Sequence, residues 1–194
     1  MKVKKPKEKY SKKVNRKNER KAKSDYSWIL VVSVSAFWIS FLFSFLSEAI
    51  LGSVNFIVAV LLMLFFIFLG IIFDMIGISV TVARSETFHS MATKKVRGAR
   101  LAGKLIKNSE KASSFCNDVI GDICGIISGS TAAAISTILA TSLDLPIFIT
   151  TLIITAIVAS LTIGGKALGK SIAINHSTKI LYRFSKVLSL FTKE

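Results

Sequence analysis

Cysteine and histidine are scarce in this chain, two of each among 194 residues, and acidic side chains are outnumbered by basic ones, 11 to 26. Cys116 and Cys124 are eight positions apart in one helix-forming stretch, about 12 Å along a helix axis, so they cannot bridge to each other. Both read as free thiols of a reducing compartment. Neither has a further Cys or a His at metal-ligand spacing, which removes the sulfur-rich metal sites. His89 and His176 stand alone and read as ordinary interfacial residues. The sequence also lacks a phosphate-binding glycine loop and any Ser/Lys, His/Glu or paired-Asp constellation at usable spacing. It is read as neither a nucleotide hydrolase nor another enzyme, and no resident cofactor is expected.

What the chain has in excess is apolar surface. Hydrophobic residues make up 52% of it and the mean hydropathy is +0.59, too apolar for a soluble domain of this length. The basic residues are confined to three clusters: twelve from Lys2 to Lys23, eight from Arg84 to Lys111 and six from Lys166 onward. Apolar runs of about 20 residues, enough to cross roughly 30 Å of hydrocarbon, fall at 28–46, 56–80, 119–143 and 146–163. The expected fold is therefore an all-α membrane bundle of four transmembrane helices with added interfacial amphipathic helices.

Orientation follows from the same clusters. The two short turns "SEAILGS" and "SLDLP" carry only Glu48 and Asp144, so four crossings with both termini cytoplasmic leave every Lys and Arg on one side. The expected location is the cell membrane, with the first span as an uncleaved signal anchor. Residues 1–26 form a basic tail too polar to fold alone. With Tyr10 as the single aromatic of residues 1–25, the tail suits anionic headgroups better than nucleic acid.

The loop 84–115 is helix-forming, and Val96, Leu101, Leu105 and Ile106 give it an amphipathic stretch suited to an interface. The same reading applies to "STKILYRFSKVLSLF" within 171–194. Ser109 and Glu110 mark a fresh helix start, and Asp144 before Pro146 reads as the cap of the fourth span. The third span is rich in Ser, Thr, Gly and Ala, so it belongs among other helices rather than in lipid. Its Gly121, Gly125, Gly129 and Ala133 recur every four residues as a flat ridge, for packing within the chain or for a homodimer; Gly70 and Gly77 offer an opposing groove.

A charge at mid-bilayer costs roughly 2.5–3.5 kcal/mol, so Asp74, Asp118, Asp122 and Lys166 need a partner, a wet cavity or the interface. Asn117, Asp118 and Asp122 suit a hard cation through oxygen ligands, and Asn117 or Asp118 equally suits the N-cap of the third span. Lys166 either snorkels to the headgroups or pairs with Asp74 or Asp122 across helices.

From about Leu69 onward the order of features resembles the transmembrane domain of the CNNM/CorC (CorB-like) magnesium and cobalt transporters. The stretches that carry the likeness are "IIFDMIGISV", "RGARLAGKLIKN", "FCNDVIG" and "GGKALGK". The second matches the family's R-G-A-R-x-A-x-x-L best. In place of the family's S-E-T-A the chain has Ile76, Gly77, Ile78 and Ser79. Asn117 keeps the first asparagine of G-N-x-x-x-N and Gly121 replaces the second. Lys166 and Gly169 replace the glutamate and proline of G-E-x-x-P-K, while Gly165 and Lys170 are kept. The family's nucleotide-binding cytoplasmic domains have no counterpart in these residues.

The resemblance implies a domain over 54–194 behind an extra N-terminal span at 27–50, a dimer, and transport or exchange of Mg2+ or Co2+. The pathway residues would be Asp74, Ser79, Asn117, Asp118, Asp122, Gly165 and Lys166, with Asp74, Asn117 and Asp118 on the metal. The alternative is a non-transporting membrane adaptor whose basic tail holds anionic lipid or a cytoplasmic partner.

Overall fold

The computed structural model describes residues 29–42, 45 and 55–191, in a chain that divides into two compact units, Met1–Trp38 and Ile39–Glu194. The expectations placed on the tail 1–26, on the ends of the first span and on the loop 46–54 fall outside the described residues. Within them the first apolar run is helical, α1 (Ile29–Leu42). Phe37 and Trp38 on it meet edge to face, their ring centres 5.7 Å apart.

The second unit is helical throughout its described residues. It comprises α2 (Phe56–Val82), α3 (Ser85–Thr93), α4 (Ala99–Lys107), α5 (Ser109–Ser114), a π-helical segment (Phe115–Gly121), α6 (Asp122–Leu143), α7 (Ile147–Asn175) and α8 (Ser177–Phe191). From α5 through the π-helical segment to α6 the chain is one unbroken helix, Ser109–Leu143. With α2 and α7 this makes three helices long and apolar enough to cross a membrane.

Two boundaries differ from the sequence reading. The third span begins at Ser109, so Asn117 and Asp118 lie inside a helix and cap nothing. The fourth span runs past Gly164 and Gly165 to Asn175. A helical glycine costs about 1 kcal/mol relative to alanine, but here close packing on α2 offsets it. A Cβ on Gly169 would lie 2.9 Å from Met75 Cγ, and one on Gly165 would overlap Ile71 Cδ1. At 1.5 Å per residue α7 is about 43 Å long, about 13 Å more than the hydrocarbon layer, so its lysine-bearing end projects. Asp144 belongs to the helix before it: with φ at 53° it closes α6, its N–H donating to the Ala140 carbonyl, and α7 starts from Pro146.

Helix α2 packs against both α6 and α7, which also touch each other. Contacts pair rising positions on α2 with falling ones on α6 and rising ones on α7, so α2 is antiparallel to α6 and parallel to α7. Ala59, Met63 and Ile67 of α2 meet Ala132 and Ile135 of α6 and Val158 of α7 in one buried cluster. As its composition implies, α6 is the most enclosed of the three. Ser128, Thr131 and Ser136 are buried on it; Ser128 and Thr131 return their hydroxyls to the helix backbone, and Ser136 Oγ bonds Thr151 Oγ1 of α7 at 3.0 Å. This suits a bilayer, where small residues and local hydroxyl bonds, rather than apolar burial, hold helices together.

At the lysine-bearing end, α3, α4 and α8 wrap the foot of α2. Ile76, Val80 and Ala83 of α2 share a core with Phe88 of α3, Ala102 of α4, Cys116 and Leu181 of α8. Leu105 and Ile106 of α4 and Ile180 and Phe184 of α8 pack on this core. The apolar faces expected to lie on an interface are turned against each other and against α2. The turn from α3 to α4 touches the α8 backbone at Gly98, whose φ is 82° and whose Cβ would lie 2.9 Å from Lys186 N. Gly98→Ala is therefore expected to cost about 1–3 kcal/mol and to lower the thermal midpoint of the purified chain in detergent. An unchanged midpoint would show that the α4–α8 contact does not support the fold.

Candidate functional site

The polar candidates gather where the three long helices end together. Asp74 lies about 27 Å along α2 from Phe56, Lys166 about 28 Å along α7 from Ile147, and Asp122 about 32 Å along α6 from Leu143. All three sit at one end of the bundle, near the edge of a 30 Å hydrocarbon layer. Glycines bring the backbones together at this level. A Cβ on Gly70 would stand 3.2 Å from Cys124 Cβ and 3.7 Å from the Gly121 carbonyl oxygen, and one on Gly77 would overlap the Asn117 side-chain oxygen and lie 2.7 Å from its Cγ. The groove expected from Gly70 and Gly77 is thus formed, and Gly121 and Asn117 fill it.

Asp74 is four residues after Gly70 and three before Gly77, on the same face of α2. It is rotated toward the side where Ile71 and Met75 meet α7. Half-buried, by its position on the helix it borders the seam between α7 and the head of α6 that Gly70, Ile71 and Met75 line from α2. Lys166 crosses the same seam: its Nζ lies 3.9 Å from where a Cβ on Gly121 would stand, and the Cys116 carbonyl oxygen is 3.6 Å from that point. The expected pairing of Lys166 with Asp74 or Asp122 is not formed, since among the described residues no ion pair joins them.

Asn117 carries the least satisfied group of the seam. Its Nδ2 makes a long 3.5 Å contact with Ser113 Oγ, while its carbonyl oxygen is buried with no hydrogen-bond donor. Such an orphaned acceptor costs about 1–3 kcal/mol. The π-helical geometry of 115–121 lets Asn117 enter the groove while α6 continues straight beyond it. Segments of this kind recur at functional sites, and no residue pattern in the sequence marks this one.

The other anticipated residues are placed elsewhere. Ser79 is fully buried with an unpartnered hydroxyl, but about 200° around α2 from Gly77, away from the seam. Asp118 and Asp122 are exposed, so the expected trio with Asn117 is split. Gly165 serves contact with Ile71. Of the small-residue ridge only Gly121 is buried; Gly125, Gly129 and Ala133 face outward, and nothing lies within 4 Å of a Cβ built on either glycine. Both cysteines are free thiols.

Chemically, the seam offers one carboxylate, one amide oxygen and a nearby cation. Among the described residues no three His, Cys, Asp or Glu side chains gather within reach of one metal ion. The donor set is too sparse for tight chelation, and suits an ion that keeps most of its waters, as Mg2+ does. No protein-family model, curated protein or solved structure matches the chain.

The overlap at Gly77 gives a direct test of this packing. Gly77→Ala is expected to lower stability by about 1 kcal/mol by displacing the Asn117 amide. Asn117→Ala in the same chain should restore most of the loss, because the methyl then has space. Unfolding midpoints of the two single variants and the double variant measure the coupling. Strict additivity would mean that Asn117 does not occupy the groove.

Proposed function

We propose that the chain is a four-span membrane protein with both ends in the cytoplasm, and that it passes or exchanges a hydrated divalent cation, Mg2+ or Co2+, through the seam between α2, α6 and α7. The observation that carries this reading is the buried, donorless carbonyl oxygen of Asn117, packed on the face of α2 that also bears Asp74. An oxygen acceptor left without a donor in such a place is a group that a cation or its water can satisfy. A sparse donor set favours transport over storage, because a conducted ion must leave as readily as it binds.

Lys166 has a regulatory place in this scheme. Its ammonium lies at the seam mouth and repels a second cation while the first is held. Both ends are assigned to the cytoplasm because the 26 Lys and Arg then share one compartment. The outward face of Gly125, Gly129 and Ala133 is assigned to a second copy, since small residues let two helices approach closely.

Two measurements test the proposal. In proteoliposomes, Asp74→Asn combined with Asn117→Ala is expected to reduce Mg2+ entry about tenfold or more, whereas Asp118→Asn, at an exposed position, leaves it unchanged. Equal flux in all three proteins would exclude the seam as a pathway. In cells, tags on Met1 and Glu194 should both be reached from the cytoplasm and a cysteine at Gly129 should cross-link two copies. Tags on opposite sides would refute the four-span arrangement, and absence of the cross-link would refute the dimer.

A second reading, a membrane adaptor that transports nothing, draws on the formal net charge of +15. Folded, exposed chain with unchanged ion permeability in every variant would favour it.

A further inference from the structure

Outside the seam, a groove of about 630 Å3 lies between α3 and α4. Its floor is Phe88, Ala92, Ala99 and Gly103, and its rim carries Lys95, Arg100, Lys104 and Lys107. No acidic side chain lines it. The four rim cations are exposed, while Phe88 and Ala99 are buried. Lys95 holds a left-handed backbone, with φ at 55°, so the chain turns sharply at the rim. Above Gly103 nothing lies within 4 Å of a built Cβ, which leaves the floor open there.

Apolar below and cationic above, the groove is complementary to an amphipathic anion. Its volume falls in the range of small-ligand sites, about 300–1,000 Å3. Its position also favours a lipid. Helix α3 starts three residues after α2 ends, and Phe88 shares a core with Ile76 and Val80 in the last turns of α2. The floor therefore lies level with the end of a membrane span, where an acyl chain can reach it.

We infer that this groove binds one anionic glycerophospholipid, its phosphate held by Arg100 and Lys104 and the start of an acyl chain laid on Ala92 and Gly103. Arginine and lysine together suit a phosphate, the first by its forked donors and the second as a point charge. The bound lipid clamps the α3–α4 cap to the bilayer at the foot of α2. The inference requires that the long helices sit in a membrane and is independent of any cation flux.

The test uses the full chain in vesicles of equal parts phosphatidylcholine and phosphatidylglycerol, the latter bearing a photoreactive group near its headgroup. Labelling is expected on α3 and α4, and to fall about tenfold in Arg100→Gln/Lys104→Gln, which removes two near-surface cations. Gly103→Trp, which fills the floor and keeps every charge, should reduce it similarly. Lys179→Gln/Lys186→Gln on α8 should leave it unchanged. Labelling that survives both groove changes, or falls equally with the α8 pair, would overturn the site.

Full competition by soluble glycerol phosphate would also overturn it, by showing an anion site with no use for the acyl chain. Displacement by an acidic amphipathic peptide, with no lipid labelled, would assign the groove to a protein partner instead. Resistance of each variant to alkaline extraction establishes that it is membrane-inserted; extraction of the unaltered chain would defeat the membrane reading itself, separately from the groove. If Gly103→Trp fails to fold, the two charge pairs decide the outcome.

Discussion

Close approach of helix backbones at glycine is the constraint on which the rest of this structure depends. Lipid tails are as apolar as leucine, so helices gain little by hiding leucines from them, and contact area at short range has to hold the bundle. On α2, Gly70 and Gly77 admit the head of α6 and the π-helical segment, while Gly165 and Gly169 of α7 admit Ile71 and Met75 of α2. Each contact would be lost or strained by a single methyl. These glycines lie in the half of the bundle that bears Asp74 and Lys166, whereas the other half is filled by ordinary side chains such as Met63, Ile67 and Ile135.

That tightness decides what the polar side chains do. Asn117 is pressed onto Gly77 with its carbonyl oxygen buried and lacking a donor, and the Lys166 ammonium comes within van der Waals reach of Gly121. Asp74 shares the α2 face of Gly70 and Gly77 by the helical repeat. An all-apolar seam would hold the helices as well and would be simpler to insert.

The cap formed by α3, α4 and α8 connects this seam to the membrane surface. Its core continues from the last turns of α2 through Phe88 and Leu181. Its outer rim is cationic along α4, placing attraction to anionic lipid on the same body that touches the foot of α2. Cap and seam are two ends of one packed column.

The sequence by itself determined the helical content and, of the four spans read from it, the three that form helices long enough to cross a membrane, because length and hydropathy are local properties that each segment carries alone. It also exposed the Gly70 and Gly77 groove and the enclosed character of α6, since spacing on a helix fixes which residues share a face. Tertiary structure alone decided which polar groups meet. Asp118 and Asp122 are as acidic in the sequence as Asp74, yet the turn of the helix exposes them while Asp74 enters the seam. The length of α7 beyond Gly165 was hidden for the same reason: glycine disfavours a helix locally, and only the partner packed against it supplies the compensating contact.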